Sequence, residues 1–161
     1  MSKNNNIQFS SLDYILIATI AFLLIASWMF VIINYNNLPD VIATHFDGFG
    51  KPNGYGSKNT IWLIPIIFTL LSTGFILGSK HQNLINFPKR ELSLQEKNSN
   101  LKVMLFTALL LAIITPFIVY SMTQASLVKN FEMPWILPVI LGIVIVYLIA
   151  VFYQKFKTPK S

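Results

Sequence analysis

Cysteine is absent from the chain, and histidine occurs only twice, as His45 and His81. The first absence excludes a disulfide framework, a thiolate nucleophile and every cysteine-ligated metal site. Acidic residues are scarce too, six Asp and Glu against twelve Lys and Arg, which leaves a formal net charge of +6. Most telling is where charge is missing. The runs Ile15–Ile33, Ile61–Leu77, Val103–Tyr120 and Trp135–Tyr153 contain no Asp, Glu, Lys, Arg or His. Ion-driven carriers, pumps and intramembrane proteases rely on ionisable side chains within the bilayer, so bare runs of this kind disfavour all three.

What remains is apolar: 54% of residues are hydrophobic, 11% are charged, and the mean hydropathy is +0.60. A helix crossing a hydrocarbon core of about 30 Å needs roughly 20 apolar residues, and each of the four runs is near that length. They are continuous, unlike the short alternating segments of a membrane barrel. The first run exceeds the apolar core of a signal peptide, and no A-x-A-like site follows at Ile33-Asn34-Tyr35-Asn36, so it reads as a retained span. The expectation is an all-α integral membrane protein, with residues 1–161 as a single domain. It is a four-helix up-down-up-down bundle with spans at about 13–33, 60–78, 102–121 and 135–153, and a structured extracytoplasmic loop over 34–59.

The excess of lysine and arginine sorts by side. Lys3, Lys80, Lys89, Arg90, Lys97, Lys102, Lys155, Lys157 and Lys160 fall on one side of this topology, and only Lys51, Lys58 and Lys129 on the other. The positive-inside rule places both termini and the loop from Gly78 to Lys102 in the cytoplasm of a cell membrane. The basic residues then serve as topology determinants beside anionic lipid, not as a nucleic-acid surface. Trp28, Tyr35, Trp62, Tyr120 and Trp135 mark the opposite, outer interface. Ser10 or Ser11 is placed to cap the first helix, with Asp13 in its first turn.

Within the spans, Pro65, Thr115-Pro116 and Pro138 are expected to bend helices that pack on one another, and Ser72-Thr73-Gly74 to allow close approach. The stretch around Pro88-Lys89-Arg90 reads as a solvated turn, and Gln95-Glu96-Lys97 as a helical lead into the third span. That loop is also where a cytosolic regulator would dock.

The long polar stretch LPDVIATHFDGFGKPNGYGSK, residues 38–58, concentrates the chemistry. On the expected outer side the groups able to act as ligands or catalysts are His45, Asp40, Asp47 and Glu132. His45 and Asp47 can pair imidazole with carboxylate or supply two metal ligands, but zinc sites want three or four protein ligands, and no nucleophile stands at a diagnostic spacing. Non-enzymatic action without a cofactor is expected. The glycine spacing fits neither a phosphate loop nor an EF-hand. Pro52-Asn53-Gly54 reads as the turn. LPDVIATHF reads as one short amphipathic helical turn on the membrane, with Val41, Ile42 and Phe46 toward lipid and His45 and Asp47 tying it to the loop.

This stretch resembles the signature of the bacterial membrane family called domain of unknown function 1648, the N-terminal part of SdpI-type immunity proteins. The family pattern is approximately L-P-x-x-I-P-x-H-F-x-x-x-G-x-P-x-x-x-x-x-K. Leu38, Pro39, Ile42, His45, Phe46, Gly50, Pro52 and Lys58 match it in place, and Ala43 stands where the family commonly has proline. Thr44, Asp47 and Gly54 complete the candidate ligand-binding set, with His45 and Asp47 the candidates for a metal. The resemblance implies protection of a producing cell from a secreted, membrane-active peptide toxin, with recognition through the outer loop. It also implies, as the alternative, a membrane scaffold that holds a cytosolic regulator.

Overall fold

The computed structural model describes residues 8–82 and 92–134, together with positions 139, 142–144, 146, 147 and 150. Its elements are helix α1 (Ser11–Asn34), a 3-10 turn (Tyr35–Asn37), strands β1 (Val41–Phe46) and β2 (Pro52–Ser57), a second 3-10 turn (Lys58–Trp62), helix α2 (Leu63–Lys80) and helix α3 (Leu94–Leu127).

Helices α1 and α3 each start where a side chain satisfies free amides. Ser10 caps α1: its hydroxyl accepts from the Asp13 amide, while Asp13 Oδ2 accepts from the Ser10 amide at 2.8 Å. The same reciprocal box joins Ser93 and Glu96 at the head of α3. The cap at Ser93 lets α3 begin well before its apolar run. Its 34 residues extend about 51 Å at 1.5 Å per residue, longer than a hydrocarbon core, so its ends project beyond it.

Helix α3 is the central element. It packs against both α1 and α2, which touch one another much less. Ile20 and Leu24 of α1 meet Ala108 and Ala112 of α3, where short side chains bring the backbones together. Ser72 of α2 is fully buried, and its hydroxyl donates to the Ala108 carbonyl at 3.4 Å. Gly74, expected to share this role, faces open space, because it lies off the α2 face that meets α3. Pro116 is accommodated inside α3.

At one end of the bundle Lys102 of α3 pairs with Asp13 of α1, and Gln82, just past α2, donates to the Lys97 carbonyl at 2.8 Å. At the other end lie the C-termini of α1 and α3, the N-terminus of α2 and the β1–β2 hairpin. Helix α2 therefore runs antiparallel to α1 and α3, which run parallel to each other.

All three are long and apolar enough to cross a membrane, over Ser11–Asn37, Lys58–Lys80 and Leu94–Leu127. Phe22, Ile25, Met29, Ile32 and Ile33 of α1 and Leu70, Leu71 and Leu77 of α2 stay exposed. In water so much bare apolar surface would be costly, and lipid removes that cost. The expected fourth span, 135–153, lies mostly outside the described residues. The described positions from 139 to 150 are helical, and Tyr147 sets its ring edge-on to Phe106 of α3 at 5.2 Å. The stretch around Pro88 also lies outside the described residues.

Four expectations are corrected. The chain is not all-α, since β1 and β2 form a two-stranded antiparallel sheet. LPDVIATHF is not a helical turn: β-branched Val41, Ile42 and Thr44 favour extended backbone, and the glycine-rich strand beside them supplies hydrogen-bond partners. Nor do Ile42 and Phe46 face lipid. Ile42 is completely buried and Phe46 packs against the core, while Val41 alone points away. Finally, Pro52-Asn53-Gly54 is the start of β2 and not the turn, because the Asp47–Lys51 segment makes the stronger one.

Candidate functional site

The hairpin is the part of the described chain where polar chemistry gathers, and its turn is built by Asp47. The Asp47 carboxylate Oδ1 accepts from the amides of Phe49 and Lys51, both at 2.9 Å, while the Asp47 amide donates to the Lys51 carbonyl at 2.9 Å. Gly50 closes the turn with φ +83, a left-handed conformation that glycine adopts without strain.

The inner face is apolar. Ile42 opposite Gly56 and Phe46 opposite Pro52 meet Val31 of α1, Leu38, Ile61 and the Val119–Met122 part of α3. Between them β1 bulges, with register shifts on both sides of His45. The glycines of β2 make room for the bulge. A Cβ on Gly54 would lie 2.8 Å from His45 Cβ, and one on Gly56 would lie 3.2 Å from Thr44 Cγ2. The imidazole of His45 is exposed, with Nδ1 2.5 Å from Asn53 Oδ1. A carbonyl oxygen there requires Nδ1 to donate, which leaves Nε2 of the neutral ring as an outward-facing acceptor.

The base of the hairpin is closed by Lys58. Its amide donates to the Asp40 carbonyl at 2.9 Å, its ammonium pairs with the Asp40 carboxylate at 3.0 Å, and it lies 5.6 Å from the centroid of the Tyr35 ring. Tyr35 stacks against Trp62 and donates its hydroxyl to Asn59, and Trp62 in turn meets Trp28. Leu38 is buried beneath this aromatic group, and Pro39 is exposed ahead of β1.

Two contacts anchor the hairpin to α3 and the residues after it. The Ala43 amide donates to Ser126 Oγ at 3.0 Å, and that hydroxyl donates onward to the Met122 carbonyl at 2.6 Å. At the tip, the Met133 amide donates to the Gly50 carbonyl at 2.7 Å, with Lys51 and Glu132 paired beside it at 3.2 Å. Ser126, Glu132 and Met133 stand more than 80 positions beyond their partners, and no local pattern in the sequence joins them.

Leu38, Pro39, Thr44, His45, Phe46, Asp47, Gly50, Pro52, Gly54 and Lys58 thus belong to one hairpin and its base, but they do not surround a common cavity. Asp40 is engaged by Lys58, Glu132 by Lys51 and Asp47 by its own turn. Among the described residues no group of three or more His, Cys, Asp or Glu is arranged to hold a metal ion.

Residues 22–69 match the family described as Domain of unknown function (DUF1648). Over these residues the chain is similar to a DUF1648 domain. The match begins in α1, takes in the whole hairpin and ends in α2, so the DUF1648 unit is a hairpin together with the two helices that carry it. An uncharacterized protein from Archaeoglobus fulgidus is 26% identical over 69 residues, covering 38% of this chain and 38% of its own. The chain therefore spans well under half the length of that relative. No solved structure matches.

Proposed function

We propose that this protein is a non-enzymatic, multi-pass membrane protein whose hairpin receives a membrane-active peptide outside the cell, in the manner of the SdpI-type immunity proteins it resembles. The observation that carries the reading is the division of the hairpin into two faces. Its inner face and turn are fastened to the bundle, whereas Val41, Phe49 and Tyr55 are 61%, 84% and 64% exposed, beside the free imidazole edge of His45. A rigid platform with bare aromatic side chains suits an amphipathic peptide, since it loses little freedom on binding. Catalysis and metal binding have less support, because the carboxylates near His45 are already engaged in ion pairs or turn hydrogen bonds.

Survival of toxin-sensitive cells tests the reading. Cells expressing the protein are challenged with a panel of secreted membrane-active peptides, with Phe49→Ser and Tyr55→Ser variants alongside. Protection against at least one peptide, lost in both variants at unchanged membrane abundance, is expected. Failure to protect against any peptide, or full protection by both variants, would overturn it.

A further inference from the structure

The Lys51–Glu132 contact forms one wall of an open groove of about 590 Å³ between the hairpin and the end of α3. Lys51, Pro52 and Tyr55 contribute from the hairpin, and Ala125, Val128 and the Lys129–Glu132 turn from the other side. We propose that this groove binds the phosphate headgroup of an anionic phospholipid, with Lys129 as the principal cation.

Three observations lead there. The first is depth. The groove opens where the apolar run of α3 ends, at the same end of the bundle as the Trp28, Tyr35 and Trp62 rings, and in a membrane-spanning chain that level is occupied by headgroups. The second is lining. Ala125, Val128 and Phe131 line the groove with apolar surface suited to the glycerol and upper acyl carbons, alongside Lys51 and Lys129. The third is charge. Two lysines face one carboxylate, and that carboxylate is held by Lys51, so Lys129 is left without an acidic partner among the described residues.

The neighbouring charges fix the signs of the test. The last carbonyls of α3 point toward the groove end and oppose an anion, so the attraction has to come from the ammonium groups. Glu132 both repels phosphate and occupies Lys51. Removing Glu132 should therefore strengthen lipid binding, an outcome that a merely structural role for the ion pair does not produce. A smaller depression of about 400 Å³ at the opposite end has a single lysine, Lys80, with Gln8, Phe9 and Tyr14, and serves as the comparison.

The experiment uses the full chain in detergent micelles with equal phosphatidylglycerol and phosphatidylcholine, the lipids retained after purification being quantified by mass spectrometry. Wild type should be enriched in phosphatidylglycerol. Lys129→Gln should lower that enrichment about fivefold, the effect of one lysine near an anionic surface. Glu132→Gln should raise it, Lys80→Gln should leave it unchanged, and excess inorganic phosphate should not displace the lipid. Equal retention of the two lipids by wild type, equal losses in Lys129→Gln and Lys80→Gln, or no gain in Glu132→Gln would overturn the proposal. Displacement by inorganic phosphate would also overturn it, reassigning the groove to a free anion.

Discussion

At the scale of single residues, Gly50 shows how closely the hairpin is fitted to the rest of the chain. It combines a positive φ with a backbone contact, because a Cβ there would stand 2.4 Å from the Met133 carbonyl oxygen. Alanine would meet the left-handed penalty of about 1–2 kcal/mol and would in addition push Met133 away. Gly48, two positions earlier in the same turn, has nothing within 4 Å of its Cβ position. Gly50→Ala should therefore lower the thermal unfolding midpoint in detergent and expose the turn to protease, while Gly48→Ala should change neither. Equal behaviour of the two variants would show that the docking of the tip on Met133 contributes nothing to stability.

At the scale of elements, the apolar runs were legible because helix length and the absence of charge are local properties of sequence. The cap at Ser10 was legible for the same reason. The stretch that forms β1 reads in the sequence as a helical turn because Pro39 and the apolar spacing of Val41, Ile42 and Phe46 fit either backbone, and only pairing with β2 decides between them. Ala43 shows what a resemblance alone conveys poorly. Where the family commonly has proline, this chain has an amide that donates to Ser126, a bond that proline could not make. The clasp between α1 and α3 was hidden likewise, since nothing in the sequence joins Asp13 to Lys102. Asp13 is 2% exposed, and its carboxylate meets Ser10 on one side and the half-exposed Lys102 on the other. Lys102→Met would leave that carboxylate with the serine alone, at a cost of about 1–2 kcal/mol after allowance for solvent around the lysine. Lys51→Met breaks a pair exposed on both sides and should cost no more than about 0.5 kcal/mol. Unfolding of the two variants in the same detergent checks this order, and a larger loss in Lys51→Met would contradict the clasp.

At the scale of the whole molecule, the distribution of charge and the fold make one joint statement about orientation. The hairpin end carries Lys51, Lys58 and Lys129, of which two are neutralised by Glu132 and Asp40. The opposite end carries Lys80, Lys97 and Lys102, with Lys89 and Arg90 in the sequence between α2 and α3. Lysine and arginine near span ends stay on the cytoplasmic side by their number, whatever acids pair with them, so the hairpin should face outward. Because the chain contains no cysteine, single cysteines can report the orientation without any prior substitution. Gly48→Cys lies in the exposed hairpin turn, and Ser99→Cys lies on an exposed position in the first turns of α3. In intact cells a membrane-impermeant maleimide should label Gly48→Cys and leave Ser99→Cys unmodified, and permeabilisation should make the two equally reactive. The reverse pattern would place the hairpin in the cytoplasm. It would remove the extracellular-peptide reading while leaving the headgroup groove intact, because both leaflets present phosphate at that depth.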